Sequence, residues 1–192
     1  MARKYELKRR AERLEETRRR IVEAAIELHR TVGPARTSLS DVARRAGVQR
    51  NTLYRHFPDE RALGLACSGL YLQMHPPPDA ASWCEVGDPE RRLRRGLGDL
   101  YRWYERSEDM LSCVLRDAEY DELTRELFTV RAGGAMAQMR ATLAAGLPRT
   151  RRASAALDLA LDFRAWQRLA RAGLSPADAA ETMTRAVLAQ RR

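Results

Sequence analysis

Long apolar runs are missing from this chain. None approaches the roughly 18 residues that a bilayer crossing needs, so no membrane partner is expected. Aromatic residues are scarce, at 6%. Runs of β-branched residues are almost absent, which argues against sheets. Glycine and proline are modest, 11 and 8 of 192 residues, so collagen-like and low-complexity classes fall away. The three cysteines, Cys67, Cys84 and Cys113, are an odd number at wide spacing. They predict reduced, mostly buried thiols rather than a disulfide framework. His29, His56 and His75 lie far apart, and no Cys/His spacing suits zinc. A nucleophile elbow, a phosphate-cradling glycine loop and an HExxH pair are all lacking. Neither a metal, a cofactor nor an enzymatic reaction is therefore expected. The basic start "MARKYELKRRAERLEETRRR" has no apolar segment behind it, as a secretory signal would. The expectation is a cytoplasmic protein.

What is present is helical and basic. Hydrophobic residues make up 44% and charged ones 32%, a globular composition. The chain is long enough to bury a core unaided by disulfides or metal. Alanine, leucine, arginine and glutamate dominate, and all are strong helix formers, so the fold class is predicted as all-α. The net charge is +9 and uneven. Residues 1–60 carry 15 Lys/Arg against 9 Asp/Glu, and residues 61–192 carry 20 against 17. A concentrated basic excess points to a polyanion, of which nucleic acid is the commonest. A general arginine bias would also produce it, since 33 of the 35 basic residues are Arg.

Periodicity divides the chain. Residues 6–31 read as one long helix with Leu14, Ile21, Ala25 and Leu28 on its apolar face, widened by Val22 and Ile26. Gly33 and Pro34 end it. Ser38 and Asp41 have capping-box spacing and open a second helix, whose inward face is Leu39, Val42, Ala43 and Ala46. Gly47 closes that helix. A short one follows from about Gln49 to Phe57, stopped by Pro58, and Asp59 caps another over about 60–73. Residues 75–90, with a proline run and no period, read as a linker. Further helices are predicted near 89–107, 108–118, 121–146, 151–172 and 176–190. The last two are separated by Gly173, Ser175 and Pro176. The count is about nine.

The stretch "RAGVQRNTLYRHF" (45–57) carries the chemistry. Two short helices joined by a glycine turn fit a helix-turn-helix. Small residues such as Ala43 and Ala46 let the second helix cross closely, and Gly47 supplies the positive φ. Val48, Leu53 and Phe57 point inward, leaving Gln49, Arg50, Asn51, Thr52, Arg55 and His56 outward. Gln and Asn match adenine edges, Arg matches guanine, and a threonine methyl meets thymine's methyl. Tyr54, Arg55 and His56 can reach phosphates. An ordinary solvated face would look similar from spacing alone.

Residues 17–63 resemble the DNA-binding domain of the tetracycline-repressor (TetR) family. The matching elements are Thr17, Ile21 and Ala24–Ala25, then Ser40–Asp41–Val42–Ala43, Ala46–Gly47–Val48, Thr52–Leu53–Tyr54, His56–Phe57 and Leu63. The resemblance implies a three-helix N-terminal domain whose helix from Gln49 to Phe57 enters the major groove of double-stranded DNA. It implies base contacts near Gln49, Arg50, Asn51 and Thr52, and phosphate contacts from Tyr54, His56, Thr37 and Ser38. Gln49, Asn51 and Glu60 depart from the family pattern. The first two bear on which operator is read, the third on one phosphate contact. The basic extension 1–16, with Arg3, Lys4, Lys8, Arg9 and Arg10, is either a DNA-contacting arm or a solvated helix end.

The resemblance further implies that 76–192 is a helical effector-binding and dimerisation bundle. The chain would then be a homodimeric repressor released from a palindromic operator by a small, largely apolar effector of unknown identity. A constitutive DNA-binding or interaction regulator without an effector is the alternative. Pocket candidates are Trp103, Tyr104, Met110, Val114, Tyr120, Phe128, Met136, Met139 and Trp166, large or adaptable residues from several helices. Asp117 and Asp162 can pair an effector's cation, or equally Arg116 and Arg164. Residues 154–170 carry more than one apolar stripe, so a dimer face is expected there and on the last helix, around Leu157, Leu161, Ala180, Met183 and Val187.

Overall fold

The computed structural model describes residues 2–190, with the side chains of 2–4 and 7 left aside. Eleven α-helices and one 3-10 turn account for the regular structure, with no strand among the described residues. The helices are α1 (Ala2–Thr31), α2 (Leu39–Ala46), α3 (Arg50–His56), α4 (Glu60–Met74), α5 (Ala81–Cys84) and α6 (Pro89–Arg106). They continue as α7 (Glu108–Asp117), α8 (Glu122–Ala144), α9 (Arg151–Leu161), α10 (Phe163–Arg171) and α11 (Pro176–Leu188). Among the described residues no helix is long and apolar enough to cross a membrane. The chain forms two compact units. One is Met1–Met74 with Ser112–Phe128, the other His75–Leu111 with Thr129–Arg192.

In the first unit, Ile21, Val22, Ala24, Ala25 and Ile26 of α1 are buried with Leu39, Val42 and Ala43 of α2. Leu53 and Phe57, from α3 and its end, join them, as do Leu63 and Cys67 of α4. The predicted stripe of α1 fails at Leu14, which is 51% exposed. Every residue from 8 to 16 is exposed, because this part of the helix extends past the helices that cover Ile21 onward. It is held by its own backbone ladder and by i,i+4 pairs such as Lys8–Glu12 at 3.9 Å. The side chains of Arg3 and Lys4, expected in a basic arm, lie outside the described residues.

Local chemistry sets the joints. Ser38 Oγ accepts from the Asp41 N–H at 3.1 Å, and Asp41 Oδ2 accepts back from the Ser38 N–H at 3.2 Å, completing the capping box. Gly47 has φ 65°, and the Val48 N–H returns to Ala43 O at 3.0 Å, so α2 stops in a left-handed cap. Asp59 caps α4 through the Ala62 N–H at 2.7 Å.

The second unit is built on α6 and α11. Leu93, Leu97, Leu100, Tyr101 and Tyr104 of α6 are buried, as are Ala179, Ala180, Met183 and Val187 of α11. Gly96 has no room for a side chain because Leu143 of α8 and Trp83 press against it. Trp83 lies on α5, inside the stretch expected to be structureless. It is fully buried, and its Nε1–H donates to Asp99 at 2.8 Å. One turn of helix is too short to show a period, so a buried tryptophan rather than a pattern makes it.

The single helix expected over 151–172 is two helices, α9 and α10. Asp162 sits between them with extended backbone (φ −76°, ψ 128°) and caps α10 through the Ala165 N–H at 2.8 Å. Much of the apparent double stripe follows from this break, since Leu157 and Leu161 belong to one helix and Phe163 and Trp166 to the next.

Candidate nucleic-acid interface

α3 is short and anchored from beneath. Leu53 and Phe57 are buried, and the Arg18 guanidinium lies 5.0 Å from the Phe57 ring centroid. Gln49 is the N-cap residue, yet its side chain makes no capping bond, in keeping with the poor capping ability of a long amide side chain. Gln49, Arg50, Asn51, Tyr54 and Arg55 are exposed, while Thr52 and His56 are half-buried. The residues of α3 assigned to base and phosphate contact are therefore all exposed or half-buried. Among the described residues, neither Arg50 nor Arg55 has a carboxylate partner. Arg50 instead rests on Tyr54: its Nη2 donates to the phenol oxygen at 3.1 Å, with the guanidinium 5.5 Å from the ring centroid. Both groups keep their charge or hydroxyl available to a new partner.

Two nearby arginines are already used. Arg45 Nε donates to Glu27 at 3.1 Å, and this bond holds the Glu27 carboxyl below its usual range. Arg44 pairs with Asp41. The sum of basic residues thus overstates the charge free for DNA.

Thr37 and Ser38 stand at the mouth of α2, but their hydroxyl hydrogens are committed. Thr37 Oγ1 donates to Gly33 O at 2.7 Å, and Ser38 Oγ donates to Asp41 Oδ2 at 2.6 Å. Beside them, in the first turn of α2, lie the backbone N–H groups of Leu39 and Ser40. First-turn N–H groups have no acceptor within their own helix, and the helix dipole favours an anion there.

The pocket candidates are divided between the two units. Trp103, Tyr104 and Trp166 meet in the second unit with Phe163, at centroid separations of 5.3 to 5.6 Å. Tyr104 donates to Leu161 O at 2.6 Å and Trp103 Nε1–H to His75 O at 3.1 Å. Burial pushes the Tyr104 phenol far up. These rings fill their own space. Met110 and Met139 are buried in the same unit. Met136 borders a shallow hollow of about 310 Å³ with Arg140, Asp158 and Leu161. Val114, Tyr120 and Phe128 belong to the first unit, with Tyr120 58% exposed. Asp117 takes the Arg116 alternative and is fully buried, whereas Asp162 caps α10.

Leu157, Leu161, Ala180, Met183 and Val187, the expected dimer face, are all buried within their own chain. Side chains covered this way have little area left for a partner. Leu159 on α9, 57% exposed, is the large apolar residue those helices leave open.

Sequence reading missed the role of segment 112–128. Its Arg116 and Asp117 bond to the loop between α1 and α2, with Arg116 reaching Val32 O at 2.7 Å and Asp117 accepting from Ala35 N–H at 3.0 Å. No local pattern ties residues so far apart.

Residues 21–67 match the family described as bacterial regulatory proteins, tetR family. The chain is similar in structure to NalD, the secondary repressor of the MexAB-OprM multidrug efflux pump in Pseudomonas aeruginosa. That likeness has 28% identity, a TM-score of 0.66, and covers 93% of this chain and 96% of that one. HlyIIR, a hemolysin II transcriptional regulator, shares the fold at 14% identity and TM-score 0.67, covering 92% and 97%. So does PfmR, a TetR family transcriptional regulator from Thermus thermophilus, at 22% and 0.59, covering 88% and 97%.

Proposed function

We propose that this chain, which carries the N-terminal domain of the tetR family of bacterial regulatory proteins over residues 21–67, is a sequence-specific repressor of transcription. The observation that carries the proposal is the exposed row Gln49, Arg50 and Asn51, with half-buried Thr52, on a helix pinned by Leu53 and Phe57. In the major groove, Arg50 pairs with guanine and Gln49 or Asn51 with adenine. Tyr54, Arg55, His56 and the first N–H groups of α2 hold the backbone. Seven residues of α3 read only a few base pairs, so two copies on an inverted repeat are needed for a useful site. The homodimer is part of the proposal, with Leu159 on its face. Repression, rather than activation, draws support from the 28% likeness to a repressor of an efflux pump. Acting on DNA, the protein works in the cytoplasm.

Release by a small apolar effector in the second unit completes the first model. The close packing of Trp103, Tyr104, Phe163 and Trp166 favours a second one, a regulator with no small-molecule effector. Selection of bound duplexes from a random pool tests the core of both. An inverted repeat with half-sites about one turn apart is expected. Recovery of no common sequence would refute sequence-specific reading, and a single asymmetric site would refute the dimer. Titrating apolar compounds into the bound complex then separates the two models. A compound that binds the second unit and leaves DNA affinity unchanged counts against effector release.

A further inference from the structure

We propose that Arg116 and Asp117 are positioning residues for the DNA grip, which makes segment 112–128 part of the DNA-binding machinery. The proposal rests on α2 and α3 being the DNA-reading pair.

The Asp117 carboxylate is fully buried. A buried charge is costly unless cations and hydrogen-bond donors satisfy it. Three donors do so here: Arg116 Nε at 2.8 Å, the Tyr120 hydroxyl at 2.8 Å and the Ala35 N–H at 3.0 Å. Burial alone would push this carboxyl up, but those bonds outweigh it and hold the group below the usual range. Asp117 therefore stays ionised, and its bond to Ala35 is charge-assisted. Arg116 also uses its other arm, donating from Nη2 to Val32 O at 2.7 Å. One ion pair thus holds the carbonyl of residue 32 and the amide of residue 35.

The residue between them fits the same purpose. Gly33 has φ 108°, and a Cβ there would run into the Arg116 guanidinium and the Asp117 carboxylate. The Gly33 carbonyl in turn accepts the Thr37 hydroxyl at 2.7 Å, and Ser38 closes the capping box. From Val32 to Ser38 the chain is tied at each step, and the free N–H groups of α2 begin directly beyond. Their direction in space is set by this loop. A capping box alone fixes α2 internally. Arg116 and Asp117 supply what the capping box does not, a tie from the loop to another helix.

The test compares the full-length protein with Asp117→Asn, Arg116→Gln and Tyr120→Phe, on the duplex recovered by selection. Affinity is measured over a range of salt, and backbone exchange is followed at Ala35. We expect Asp117→Asn to weaken binding about tenfold and to lower the salt dependence by about one phosphate equivalent, with base preference unchanged. Tyr120→Phe should give a smaller loss in the same direction. Arg116→Lys should restore affinity partly, since it keeps the charge and loses the fork. A role confined to stability would lower the midpoint of unfolding and leave the salt dependence of folded protein untouched. If Asp117→Asn does not fold, Arg116→Gln at the part-exposed member carries the same test. Faster exchange at Ala35 with wild-type affinity and salt dependence would overturn the proposal. Failure of the wild type to bind DNA would overturn the reading of α2 and α3 together with it, so the two failures are distinguishable.

Discussion

Acidification should weaken the first unit through one identifiable group. His29, near the end of α1, lines a cleft of about 340 Å³ with Leu39, Val42, Leu63 and Leu127. Its Nδ1 lies 3.4 Å from Cys67 Sγ. Burial pushes the imidazole from 6.5 down to about 4, against the pull of the Asp117 charge in the other direction. A pKa lowered on folding means that the unfolded chain takes up the proton first. The stability tied to neutral His29 is therefore complete above about pH 7.5 and drains away as pH falls from 6.5 toward 4. By about pH 4.5 the loss from this ring amounts to about 2.5 kcal/mol, taking 1.36 kcal/mol per pKa unit. Urea unfolding of wild type and His29→Gln at about pH 7.5 and about pH 4.5 measures it. His29→Gln lacks this loss, while both proteins share losses from carboxylates such as Asp41, whose pKa is lowered by Ser38. The gap between the two proteins should therefore shrink on acidification by about the amount above. If wild type and His29→Gln lost equal stability over that interval, the ring would not be held neutral by its surroundings.

Arg50→Ala and Asn51→Ala should each relax base preference at one position and cost about 1–3 kcal/mol of specific binding, read from competition between operator variants. If both lowered affinity equally for every sequence, the assignment of base readout to α3 would fall. Ser38→Ala should cost about 1 kcal/mol in urea unfolding, because the Asp41 N–H loses the Ser38 hydroxyl that accepts from it, while the residue-38 N–H keeps its bond to Asp41. A cost near zero would mean that water replaces the cap without penalty.

Much of this protein was written in short-range spacing. Ser38 with Asp41, Gly47 after Ala46, Asp59 before Glu60, and Gly173 with Ser175 and Pro176 each act within five residues. Caps and turns depend on little else, and they fell where the sequence placed them. The inward pair of α3 and its end was equally legible, since Leu53 and Phe57 lie one helical turn apart and are the buried residues there. What depended on distant partners was not. Leu14 fits the apolar period of α1 yet remains exposed, because among the described residues nothing covers that part of the helix. Leu157 and Val187 pass for a dimer face until other helices of the same chain are seen to cover them. Asp162 looks like one polar residue inside a helix, and only folding makes it the cap of a new one. Asp117 carries no local mark of its role, since the amide it accepts from lies 82 residues earlier. Helix starts, helix ends and the inward pair of α3 were thus settled by the sequence, because backbone geometry confines those interactions to neighbours. Which apolar faces are covered, and which acid holds the loop before α2, were decided only when the chain closed on itself and gave each side chain a neighbour from elsewhere.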